Sequence, residues 1–214
     1  MRNDERLRTI YEVMAPYIVR NEHNWRDYLA FASQFHKHSF DNILLVYAQD
    51  EDVSILATRK QWAAIGRNLI PRAKGVAVCV YRNAKLTLDY LFDVSQTTGK
   101  EIHPTDWQLS DEMKEALTER LSYAHGFPKQ GFSQALYALA SESVADNYNH
   151  FLQELKQETK GHLFTEIPAG GFEAQYIQLL TDSISYFIGK KCHLAWRRSA
   201  ISIHSRWLLI LVRQ

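Results

Sequence analysis

With only two cysteines, Cys79 and Cys192, the chain has no disulfide framework and no zinc-ligand spacing. None of its nine histidines is followed by glutamate, which rules out the H-E-x-x-H helix of a zinc peptidase. Neither "IGRN" nor "AGGF" ends in Lys-Ser or Lys-Thr, so a phosphate-cradling P-loop is missing as well. No apolar run approaches the roughly 18 residues of a membrane span. The opening "MRNDERLRTIYEVMAPY" is charged where a secretory signal would be apolar, so a cytoplasmic protein is expected, with no membrane partner. These gaps predict a protein without catalytic apparatus, metal or cofactor.

One further absence is local. From Val53 to Leu88 there is no Asp or Glu, yet Arg59, Lys60, Arg67, Arg72, Lys74, Arg82 and Lys85 all fall in that window. The formal net charge of +1 hides this unevenness. Six of the 25 basic side chains follow Asp182, after which no acid occurs, so residues 1–182 carry 24 acids against 19 bases. A mildly acidic body with one cationic stripe does not coat nucleic acid over its whole surface. It can hold one confined cationic site.

What is present reads as an α+β protein: helices packed around a small antiparallel sheet, a β-hairpin after residue 74, then a mainly helical C-terminal half. Leu7, Ile10, Tyr11, Met14 and Ile18 recur at helical spacing, as do Trp25, Tyr28, Leu29, Ala32 and Phe35, then Phe40, Ile43, Leu44 and Tyr47. Thr58 is placed to cap a short helix through Trp62 and Ile65 that stops at Gly66. "GVAVCVYR" and "LTLDYLFDV" alternate with period two and, joined by "NAK", predict the hairpin. Leu86, Leu88, Tyr90, Phe92 and Val94 fall on one face, and Thr87, Asp89 and Asp93 on the other. Asp89 and Asp93 read there as solvent-side carboxylates or as partners for the stripe's arginines. Ser110 is placed to cap a helix carrying Met113, Leu117 and Leu121, and residues 173–191 form the last clear helix.

These features divide the chain into residues 1–105, a helical extension at 106–191 and an atypical segment at 192–214. That last segment has no acid, two tryptophans and an apolar end without a helical stripe. It reads as a stretch not shaped with the domain, as a shifted frame or truncation would leave, or else as an interface arm. In "FHKHSFD", His36 and His38 would point about 200° apart on a helix, which argues against a shared metal with Asp41.

The stripe spans a helix, a loop and a hairpin, so its cations can converge on one side. At Lys74-Gly75 the missing side chain would let a phosphate reach backbone N–H groups. Tyr81, and with it Trp62 or Tyr47, would offer stacking faces for unpaired bases.

The run "NWRDYLAFASQFHKHSFDNILLVYAQ", then "LATRKQWAAIGRNLIPRAKGVAV", then "YLFDVSQTTG" resembles the N-terminal domain of ArdC-type anti-restriction proteins, as found at the front of large mobile-element proteins. The matching positions are Trp25, Asn42 and Tyr47; Thr58, Gln61, Trp62 and Gly66; Lys74 and Gly75; and Phe92, Asp93 and Gln96. The likeness covers about residues 20–98 and departs at "NLIPRAKG", where Ile70 and Pro71 replace glycine-type or basic positions. It implies sequence-independent binding of single-stranded DNA that protects incoming mobile-element DNA from restriction. It also implies a following metallopeptidase-like domain, for which residues 106–191 lack the ligands; they are a degenerate scaffold of that kind or an unrelated helical extension. A rival reading has the acidic body and its "QDEDV" loop binding a host restriction or defence protein as an inhibitor.

Overall fold

The computed structural model describes residues 3–35, 37–83, 85–102, 109–127, 131–158 and 172–194. Helices α1 (Asn3–Ile18), α2 (Glu22–Ala32) and α3 (Phe40–Gln49) follow the three apolar stripes. Asn21 caps α2 by accepting from the Asn24 N–H, and Ser39 caps α3 by accepting from the Asn42 N–H. Their inward faces place Ile18, Val19, Tyr28, Leu44 and Val46 in one core with Val76, Val78 and Leu91 of the sheet. Each such side chain contributes roughly 1.5–3 kcal/mol through burial. The Tyr28 hydroxyl satisfies itself by donating to the Phe40 carbonyl at 3.1 Å.

The sheet is antiparallel with order β1-β4-β3, from β1 (Leu56–Ala57), β3 (Val76–Arg82) and β4 (Lys85–Asp93). A second pair joins β2 (Arg67–Leu69) to β5 (Thr97–Gly99). The fold is therefore α+β. Arg82 faces Lys85, which leaves a two-residue connection, and Asn83 takes the φ of 50° that such a connection asks for. The outer edge of β3 would expose unpaired backbone, but α3 seals it. Asn42 donates to the Cys79 carbonyl and accepts from its N–H, and Gln49 does the same for Ala77. Two amides seven residues apart on one helix stand in for a neighbouring strand.

The period of β4 is as expected, but its faces are inverted. Leu91 and Asp93 are buried, while Leu86 and Tyr90 are exposed. Asp93 is no solvent-side carboxylate: it is 3% exposed and accepts from the N–H groups of Ser54, Ile55 and Ser95. The reason is positional, because β1 and the turn after β4 meet there and their orphan N–H groups need an acceptor.

Helices α5 (Asp111–His125), α6 (Phe132–Glu158) and α7 (Phe172–Lys191) complete the chain. Helix α7 reaches back to α2. Leu179 and Tyr186 belong to the main core, and the Trp25 Nε1–H donates to Ser183 Oγ at 2.9 Å. Its other side packs Tyr176 against Val144 and Tyr148 of α6. Helix α5 buries Thr118 and Ser122 and leaves Met113 and Leu117 exposed, the reverse of what an apolar stripe would do in a core. No helix among the described residues is long and apolar enough to cross a membrane. The atypical segment lies outside the described residues from 195 onward, as does His36.

Candidate nucleic-acid interface

The acid-free stripe is built on three supports. Thr58 caps the short helix α4 (Arg59–Ala64) with a full capping box, its hydroxyl receiving the Gln61 N–H while the Gln61 side chain takes the Thr58 N–H. Gly66, at φ 82°, ends the helix and turns the chain into β2. The loop from Ile70 to Gly75 then leads into β3. Ile70 is tied to the Gln96 carbonyl, and Ala73 donates back to the Ile70 carbonyl, closing a tight turn with Pro71 and Arg72 at its centre.

These supports sort the seven cations into two kinds. Arg59, Lys60, Arg72, Lys74 and Lys85 are exposed, and none makes an ion pair with a described residue. Arg67 and Arg82 are engaged. The Arg67 guanidinium donates to Thr97 Oγ1 at 2.7 Å, to the Thr97 carbonyl at 2.9 Å and to the Lys100 carbonyl, which stitches β2 to β5. Arg82 pairs with Asp89 at 2.7 Å on the hairpin surface. Arg67 is a structural residue, and Arg82 is shared with an acid.

The five open cations lie in two groups. Arg59, Lys60, Arg72 and Lys74 belong to the end where β3 begins, and Lys85 belongs to the tip. The six steps from Val76 to Arg82 separate these ends by about 20 Å at the usual strand rise. Register also places Arg82 and Lys85 on the opposite face from Tyr81 and Leu86. The open cations therefore form two groups at opposite ends of the hairpin and not a single concave cluster.

The proposed stacking rings divide as well. Tyr81 is 80% exposed, and Tyr90, on the same face, is 47% exposed. Trp62 is 1% exposed and donates its indole N–H to the Phe92 carbonyl at 2.8 Å. It anchors α4 to the sheet and has no face to offer a base. Tyr47 is half-buried, with its ring against Tyr28 at 5.6 Å and Phe31 at 5.0 Å, and burial raises its phenol pKa. It too belongs to the packing. Gly75 has a structural explanation: a Cβ there would sit 2.9 Å from Tyr90 Cβ and 3.0 Å from the Phe92 ring. Its lack of a side chain makes room for those two residues.

One cation of this surface was not foreseen, and one ring on the partner strand takes its place there. Lys100, outside the acid-free window, is exposed and donates its N–H to the Gly66 carbonyl, beside Arg67. Only the pairing of β2 with β5 brings it there. Tyr90 joins Tyr81 because the exposed face of β4 is the apolar one. No group of three or more His, Cys, Asp or Glu able to hold a metal occurs among the described residues.

Compared with known protein families, with curated proteins and with solved structures, the chain has no match.

Proposed function

We propose that the face carrying the open cations binds single-stranded nucleic acid without sequence preference, single-stranded DNA in particular. What supports this reading is that several of these cations sit where folding alone would not put them. Arg72 has φ 65°, at the third position of a Pro-containing turn that favours glycine. Holding a side chain there costs roughly 1 kcal/mol or more. Arg59 and Lys60 occupy the first turn of α4, which contains no acid, although the helix dipole favours anions at that end. Positions that oppose local stability are where a functional demand is expected. Tyr90 stands exposed near that end of the hairpin and Tyr81 near its tip, and stacked bases contribute roughly 1–3 kcal/mol each.

Two groups of cations about 20 Å apart suit a flexible strand that can bend from one to the other better than a rigid duplex. If the five open cations each neutralise one phosphate, log K against log salt falls with a slope of about −3.5 for single strands. The resemblance to ArdC-type domains points the same way and adds a role, protection of mobile-element DNA from restriction. Replacing Arg72 and Lys74 together by glutamate tests the reading: single-strand affinity drops while thermal stability holds. Unchanged affinity would contradict it.

A further inference from the structure

A groove of about 1010 Å³ opens between α1, α3 and the hairpin. Leu7, Leu45, Leu86 and Leu88 give it apolar walls, and the exposed Tyr81 ring stands at its edge. None of the seven stripe cations lines it. It is of the size of small-molecule sites, and its position links it to the hairpin tip through Tyr81.

The polar groups in the groove can be sorted by what they already do. Asn42 is spent on Cys79, Ser39 on the cap of α3, and Thr87 on the Val80 carbonyl. Arg8 is paired with Glu12 at 2.8 Å. What remains is the Asp41 carboxylate, exposed in the first turn of α3, and the Tyr11 hydroxyl, neither of which hydrogen-bonds to a described residue. Burial and the nearby Asp41 charge raise the Tyr11 pKa, so this phenol stays protonated.

The unpaired Asp41 carboxylate disfavours a phosphate in the groove, whose one arginine, Arg8, faces Glu12. A groove with apolar walls and an exposed ring at its edge accepts an aromatic heterocycle. A carboxylate among apolar walls then asks that heterocycle for N–H donors. We infer that the groove receives an unpaired base bearing an exocyclic amine, stacked on Tyr81 with its amine donating to Asp41. Cytosine meets this demand through its N4 amine, and a carboxylate acceptor is its usual partner. Thymine has a carbonyl oxygen at the same place, which a carboxylate repels. The inference rests on the single-strand reading and adds a base preference to it.

Oligo-dC and oligo-dT of equal length separate the two claims, because they share charge and ring size. Titrated by fluorescence anisotropy in mildly alkaline buffer, oligo-dC is expected to bind about tenfold more tightly, the ratio for one charge-assisted hydrogen bond. In Asp41→Asn that ratio falls toward one, while oligo-dT affinity holds or rises slightly as a negative charge is lost. An unchanged melting temperature for this exposed substitution confirms that the fold is intact. Equal binding of both oligomers by the unsubstituted protein overturns the groove and leaves the single-strand reading standing, as does a ratio that survives Asp41→Asn. Failure of both oligomers to bind at low salt overturns the single-strand reading, and the groove with it.

Discussion

The Arg67 guanidinium folds back onto Thr97, donating to its Oγ1 at 2.7 Å and to its carbonyl at 2.9 Å. One cation of the basic stripe is therefore a clasp between two three-residue strands. Those strands are only three residues long, and Arg67→Ala should cost roughly 1.5–3 kcal/mol of stability, the range for hydrogen bonds made by a charged group. The salt slope of single-strand binding should change little, since the Arg67 guanidinium is turned onto Thr97 and Lys100 through all three of its nitrogens. Chemical denaturation and a salt titration on the same variant check both halves.

Arg72→Gly behaves in the opposite way. Glycine accepts a φ of 65° without a Cβ penalty, so stability is retained or raised. One phosphate contact is lost, and the salt slope becomes shallower by about 0.7. A variant that is no less stable yet binds more weakly would mark Arg72 as kept for its charge.

Trp62 and Tyr81 separate packing from recognition. Trp62→Ala removes a sealed side chain and its hydrogen bond to Phe92, with an expected loss of about 3–5 kcal/mol of stability. Tyr81→Ala leaves the melting temperature nearly unchanged and weakens single-strand affinity by about 1–3 kcal/mol. Thermal melts beside binding isotherms distinguish the two.

Asp93 supplies a pH dependence. Burial pushes its carboxyl up, but the donors of Ser54, Ser95 and Ile55 outweigh this and hold its pKa below the ordinary carboxylate value. A depressed folded-state pKa contributes stability that is fully present above the unfolded value of about 4. That contribution is lost as pH falls through the folded value. Melting temperature measured downward from pH 6 should therefore drop on the acid side for the unsubstituted protein. The drop should be smaller in Asp93→Asn, which starts from a lower plateau.

Much of this architecture was legible because its signals are local. The Thr58–Gln61 capping box, the Gly66 stop and the two alternating runs of the hairpin each lie within a few residues of chain. Which face turns inward was not legible. Period two in β4 defines two faces equally well, and the choice fell to Leu91 and Asp93 because β1 and the helices pack there. Helix α5 makes the same point, burying Thr118 and Ser122 in place of Met113 and Leu117. In the candidate site, exposure of Arg59, Lys60, Arg72, Lys74, Lys85 and Tyr81 agrees with the expectation from composition. The internal duties of Arg67, Trp62 and Gly75 depend on Thr97, Phe92 and Tyr90, partners 15 to 30 residues away that no short window reveals.

The proposed role of the open cations of α4, the loop before β3 and the hairpin tip is to grip an unpaired polynucleotide. The most direct measurement is a fluorescence-anisotropy titration of single-stranded and duplex DNA of equal length across a series of salt concentrations. Tighter binding of the single strand is expected, with a slope of log K against log salt of about −3.5. A flat salt response, or duplex bound as tightly as single strand, would contradict it.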